Sequence, residues 1–132
     1  MINENPTVFV YGSLRKDEDN FGFLADAEQL ADYCYVEGIL YDTGLGYPAM
    51  TLAHGSKVYG ELYRVTPDTL RQLDELEDYH GAEQDNDYLR VVETVYMDEG
   101  RAKAFVYVYP DEKAKGLKRV QSGDWRLYRL RK

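Results

Sequence analysis

Apolar positions along the chain change period several times, and each change predicts an element. Val8, Phe9 and Val10 form a short β-branched and aromatic run without helical spacing, which predicts a strand. It feeds Tyr11-Gly12-Ser13-Leu14-Arg15, where Gly12 is free to turn the chain. Past a charged loop over 16–20, Phe21, Leu24, Ala27 and Leu30 recur at helical spacing and predict a short helix capped by Asp19 or Asn20. Residues 33–41 read as a strand with a bulge at Gly38, and 44–49 as a glycine-rich turn. A short apolar piece over 49–52, a second turn at His54-Gly55-Ser56 and a strand over 58–65 follow. Thr66-Pro67-Asp68 carries a capping hydroxyl, a proline at the first helical position and an acid in the first turn, so a helix is expected from Pro67 to about residue 78. It stops at His80-Gly81. Strands over 87–97 and 101–109 flank a hairpin turn at Asp98-Glu99-Gly100, and Pro110 ends the second. Residues 113–119 are a basic segment, and Ser122-Gly123-Asp124-Trp125 reads as a turn with the only tryptophan. Mostly strands with two short helices and no β-α-β alternation, the order predicts an α+β domain over 1–132 whose antiparallel or mixed sheet curls into a small barrel.

Two places stand out chemically. A strand ending at Gly12-Ser13 leaves backbone N–H groups without ladder partners. Such groups can form a concave cradle for an anion or a carbonyl oxygen, and they equally suit an ordinary strand-to-loop turn. The second place is the helix from Pro67. At about 100° per residue, Leu70, Leu73 and Glu77 share one face, with Glu77 about 20° from Leu70. Leu76 extends that side, Asp68, Arg71, Glu75 and Asp78 turn to water, and Asp74 reads as solvated. A carboxylate on an apolar face must find a partner or hold its proton more tightly. The latter is what a general base and acid needs, while pairing with Arg90 or reaching the rim at the helix end is the structural alternative.

Composition narrows the setting. With 44% hydrophobic and 30% charged residues the chain is globular, and a net charge of -8 argues against a nucleic-acid partner or an anionic-membrane surface. No apolar run is long enough to span a bilayer and no secretory leader is visible, so the cytoplasm is the expected location. The single cysteine, Cys34, sits in an apolar run and reads as a core thiol in a reducing compartment. His54 and His80 are isolated, so no metal site is expected. The 13 tyrosines suit strands, and also a pocket with apolar walls and polar tips.

Taken in order, Tyr11-Gly12-Ser13-Leu14-Arg15, Gly46-Tyr47-Pro48-Ala49, Val58-Tyr59-Gly60-Glu61-Leu62-Tyr63, Leu73-Asp74-Glu75-Leu76-Glu77-Asp78-Tyr79 and Tyr88-Leu89-Arg90 resemble the gamma-glutamylcyclotransferase-like superfamily. The likeness is greatest to its small bacterial members and the gamma-glutamylamine cyclotransferases, and it covers roughly residues 8–125. It implies a small mixed, mostly antiparallel β-barrel with flanking short helices. It also implies release of 5-oxoproline and an amine from a γ-glutamyl amide, with no cofactor and no metal. By the same resemblance Glu77 is the general base and acid, residues Tyr11, Gly12, Ser13 and Leu14 form the substrate loop, and Tyr88 lines the pocket. Arg15 is added as a partner for the substrate carboxylate. A late tyrosine of some members has no match near Leu117, so the leaving amine is left open, as is the oligomeric state. A binding module that keeps the pocket without turnover is the alternative function.

Overall fold

The computed structural model describes residues 5–12, 14–15, 18, 21–25, 27–81 and 88–130. Ser13, and the proposed caps Asp19 and Asn20, lie outside the described residues. Six strands form one sheet: β1 (Thr7–Val10), β2 (Glu28–Asp42), β3 (Pro48–Arg64), β4 (Leu89–Met97), β5 (Gly100–Val108) and β6 (Lys118–Arg119). Neighbours run β3-β1-β5-β4-β2, and β2 pairs back onto β3, which closes a five-stranded barrel with β6 hung on β2. Among the described residues only β1–β5 is parallel; the other pairings are antiparallel. The mixed, mostly antiparallel barrel expected from the sequence is therefore the observed fold. The helices are α1 (Pro67–Leu76), α2 (Asp111–Ala114) and α3 (Trp125–Leu130).

Four expectations change. The helix over 21–30 is only a 3-10 turn, Phe21–Leu24, because the chain from Glu28 onward is claimed by pairing with β3, starting at Glu28 opposite Arg64. The piece over 49–52 and the strand over 58–65 are one strand, β3. Its partner shifts from Lys57 opposite Glu37 to Leu52 opposite Gly38, so the His54-Gly55-Ser56 turn is absorbed as an excursion, and the bulge expected at Gly38 is this same shift. The basic segment splits between α2 and β6, and the Asp124-Trp125 turn opens a further helix, α3.

Strand alternation builds two cores. Phe9 of β1 and Tyr11 just past it go to one, with Val36, Met50, Leu62, Val106 and Trp125. β1 sends Val8 and Val10 to the other, where Tyr63, Leu73, Tyr88, Tyr107 and Tyr109 pack beneath α1. Where β1 crosses β3, a Cβ on Gly60 would lie 2.1 Å from the Val10 carbonyl oxygen, so only glycine allows the strands this close.

Candidate active site

A cavity of about 470 Å³ opens at the end of β1, where the two cores meet. Phe9, Val10, Tyr11, Gly12 and Leu14 form one wall, and Leu45, Gly46, Tyr47 and Pro48 form the rim. Leu76 and Glu77 enter from the end of α1, with Tyr88 and Tyr107 at the back. Among the described lining residues Glu77 carries the single carboxyl group, and no Lys, Arg or His contributes. The structure thus brings together Tyr11, Gly12, Leu14, Glu77 and Tyr88.

The position of Glu77 follows from how α1 begins and ends. Thr66 caps the start, its hydroxyl accepting the Thr69 N–H at 3.1 Å. At the other end Asp78 takes a left-handed φ of 54°, its N–H reaches the Glu75 carbonyl at 3.2 Å, and the Tyr79 N–H reaches the Asp74 carbonyl at 2.8 Å. This paired closure ends the helix at Leu76 with Glu77 as its cap, two residues short of the expected end near residue 78. The Glu77 carbonyl then accepts the Tyr88 N–H at 3.3 Å, tying the helix end to the back wall. Leu73 is buried, Glu77 is half-buried beside it, and Asp68, Arg71, Glu75 and Asp78 are exposed, as the helical wheel required.

Asp74 is not solvated. Its Oδ1 accepts the Tyr107 hydroxyl and its Oδ2 accepts Arg90 Nη1, each at 2.6 Å. The Arg90 guanidinium lies 4.5 Å over the Phe105 ring. Arg90 is thus committed to Asp74, and the pair fixes the rotation of α1 on β4 and β5 so that Glu77, three residues on, faces the cavity.

The tyrosines are fastened as firmly. Tyr11 donates its hydroxyl to the Tyr107 carbonyl at 2.7 Å and accepts the Met50 N–H at 3.2 Å. Tyr88 donates to the Pro48 carbonyl at 2.7 Å. Burial, first, pushes the ionisation of Tyr11, Tyr88 and Tyr107 upward; the negative charge of Glu77 adds to it at Tyr11, Tyr11 and Glu77 add to it at Tyr88, and the hydrogen-bonded Asp74 carboxylate adds to it at Tyr107, so all three remain neutral phenols. Gly12 has no room for a side chain: a Cβ would lie 2.8 Å from two carbons of the Pro48 ring.

Arg15 goes elsewhere. Its guanidinium is buried against Glu61 and Asp124 and is not part of the described cavity lining, which corrects its expected place on a substrate carboxylate. Local sequence made it look like a solvated or ligand-facing cation because both partners are distant in the chain. Tyr107, Asp74 and Leu45 were not singled out as site residues. The spacing of Asp74 and Glu77 within Leu73-Asp74-Glu75-Leu76-Glu77 was the available signal for Asp74. Among the described residues no group of three or more His, Cys, Asp or Glu could hold a metal ion, and no helix is long and apolar enough to cross a membrane.

Comparison with known proteins gives the family and agrees with the fold. The family profile "Gamma-glutamyl cyclotransferase, AIG2-like" matches residues 8–127. A gamma-L-glutamyl-butirosin B gamma-glutamyl cyclotransferase of Niallia circulans is 36% identical over 126 residues, covering 95% of this chain and 78% of that protein. A gamma-glutamylcyclotransferase family protein of Escherichia coli is 37% identical over 119 residues, covering 89% and 94%. In three dimensions the crystal structure of an AIG2-like protein from Mus musculus superposes with a TM-score of 0.70 at 22% identity, covering 90% of this chain and 88% of that one. The chain belongs to the AIG2-like gamma-glutamyl cyclotransferase family and is an enzyme of that kind.

Proposed function

We propose that Glu77 is the general base and acid of an intramolecular acyl transfer carried out in the cavity at the end of β1. The observation that carries this reading is the single described carboxyl group of the lining, brought by the α1 terminus among neutral tyrosines and into one cavity with Tyr11, Gly12 and Leu14. The substrate is a γ-glutamyl amide. Its α-ammonium gives a proton to Glu77, and the freed amine attacks the γ-carbonyl carbon. A five-membered ring closes as that C–N bond forms. The bond from the same carbon to the leaving nitrogen then breaks. The attacking nitrogen gives up two protons in all and the leaving nitrogen gains two, so the carboxyl group ends as it began. Because the nucleophile is tethered to its target, no covalent enzyme intermediate is needed.

Backbone N–H groups of the 12–14 loop serve the substrate's carboxylate or the developing oxyanion. Ser13 belongs to this role by sequence only. Tyr11 and Tyr88 shape the wall, and Tyr88 also holds the rim at Pro48. The leaving amine projects past Leu45 and Leu76, both exposed at the mouth. The buried free thiol of Cys34 suits a reducing compartment such as the cytoplasm. The test is incubation of the protein with a panel of γ-glutamyl amines and dipeptides, assayed for 5-oxoproline. Release from at least one is expected. A protein that binds panel members without releasing 5-oxoproline is a binding module instead.

A further inference from the structure

At Arg15, next in the chain to Leu14, lies a buried ionic cluster that the reaction above does not use. Arg15 Nε donates to Glu61 Oε2 at 3.1 Å and Arg15 Nη1 to Asp124 Oδ1 at 3.0 Å, with about 3% of the arginine side chain exposed. Glu61 stands on β3 opposite Val10, next to the start of the loop. Asp124 is 109 residues from Arg15, at the start of α3. The other carboxylate oxygens are also occupied: Glu61 Oε1 accepts the Tyr63 hydroxyl at 2.7 Å, and Asp124 Oδ2 accepts the Tyr33 hydroxyl at 3.2 Å. Asp124 Oδ1 further accepts the N–H groups of Arg126 and Leu127, at 3.0 and 3.2 Å.

The segment carrying Asp124 is itself pinned. The Tyr59 N–H bonds to the Gly123 carbonyl at 2.8 Å. Gly123 has a φ of 71°, and a Cβ there would lie 2.0 Å from the Lys57 carbonyl oxygen.

A buried cation between two carboxylates is a costly way to hold a fold together, since apolar groups of equal volume often do as well or better. What a planar guanidinium supplies is direction: Nε and Nη1 point along fixed, different lines, and two acceptors set the orientation of the whole group. Here that group is the tail of the loop. The Arg15 N–H closes a turn onto the Gly12 carbonyl at 3.0 Å, and Leu14, between them, lines the cavity. The front of the loop is stopped by Pro48 against Gly12.

We propose that Asp124 is a positioning residue for the cyclotransferase reaction, acting through Arg15, whose fork it shares with Glu61, to hold Gly12 and Leu14 in place. This rests on the reading that the loop holds the γ-glutamyl group. It makes the start of the C-terminal helix a functional part of the site, although α3 does not line the cavity among the described residues.

The test uses the full chain with Asp124→Ser and Asp124→Asn. Serine still caps α3 but is too short to meet the guanidinium, whereas asparagine keeps an oxygen for both. The readouts are the backbone amide resonances of Gly12 and Leu14, the kcat and KM for 5-oxoproline release, and the melting temperature. Asp124→Ser is expected to shift both amides and raise KM about tenfold, with Asp124→Asn within about threefold of wild type. Unmoved amides in Asp124→Ser overturn the proposal, and so do moved amides with wild-type kcat and KM. A lowered melting temperature with unchanged kinetics is what a purely structural cluster gives, and it overturns the proposal too. Should Asp124→Ser fail to fold, Arg15→Lys carries the same readouts, because one ammonium cannot replace both directions of the fork. If the wild-type protein releases no 5-oxoproline, the cyclotransferase reading is what fails. The affinity for 5-oxoproline then replaces turnover: weaker binding by Asp124→Ser supports the positioning role and equal binding overturns it.

Discussion

Gly12→Ala places one methyl group where the site has no slack. The added Cβ would stand 2.8 Å from both Pro48 Cδ and Cγ, about 0.6 Å inside the 3.4 Å at which ordinary contact begins. Pro48 cannot yield cheaply: it is paired with Asp42 on β2, and its carbonyl holds the Tyr88 hydroxyl. The loop must therefore move by roughly half an ångström or more, at a cost of about 1–3 kcal/mol, the usual scale for overpacking. A displacement approaching 1 Å costs on the order of a hundredfold in rate, so kcat/KM should fall by about 10- to 100-fold. Gly22→Ala is the control, since nothing lies within 4 Å of its Cβ position and its φ is not positive. Thermal unfolding and steady-state release of 5-oxoproline from one γ-glutamyl amide measure both effects. A Gly12→Ala protein with the melting temperature and kcat/KM of the Gly22→Ala control would refute the reasoning.

Tyr88→Phe removes the hydroxyl from the buried Pro48 carbonyl and should cost about 1–2 kcal/mol in chemical denaturation, with KM moving more than kcat as the rim loosens; unchanged stability would contradict the 2.7 Å bond. Burial, with the charge of Glu61 second, pushes the Cys34 thiol up to about 12. The unfolded thiol ionises near its ordinary value of 9.0, so between these values the unfolded chain has lost a proton that the native one keeps. Its contribution is full below the lower value and falls by about 1.4 kcal/mol per pH unit as pH rises through that window. Between pH 8 and pH 10 denaturation should show a loss of about 1.4 kcal/mol in all, because only the upper half of that interval lies inside the window, and Cys34→Ala should reduce it. At neutral pH the native thiol should resist alkylating reagents, and rapid modification of the folded protein would sink that expectation.

What was legible in the sequence was local. Thr66-Pro67-Asp68 announces α1 because cap, proline and acid act within one turn, and the Leu70-Leu73-Glu77 face follows from the helix period alone. The 98–100 hairpin is equally local, with Met97 opposite Gly100 across it. What was misread depends on distant partners. The turn signal at His54-Gly55-Ser56 yields to the length of the β2–β3 pairing, and the helical spacing of 21–30 yields to the same pairing. Asp74 and Arg15 look solvated or ligand-facing from their neighbours, yet their partners Tyr107, Arg90, Glu61 and Asp124 arrive from other strands and from the C-terminal end. Charge in a sequence gives the sign of a group but not the address of its counter-ion.

The central claim is the role of Glu77, and Glu77→Gln tests it most directly. Glutamine keeps the shape and hydrogen-bonding reach of the side chain but cannot take the ammonium proton at neutral pH. The measurement is single-substrate release of 5-oxoproline by the folded variant, with substrate affinity and melting temperature recorded alongside. The expected result is near-wild-type affinity, no loss of stability because a neutral amide is less costly to bury than a charge, and turnover lowered by about 10²-fold or more. A stable Glu77→Gln protein that binds and releases 5-oxoproline at the wild-type rate would contradict the account.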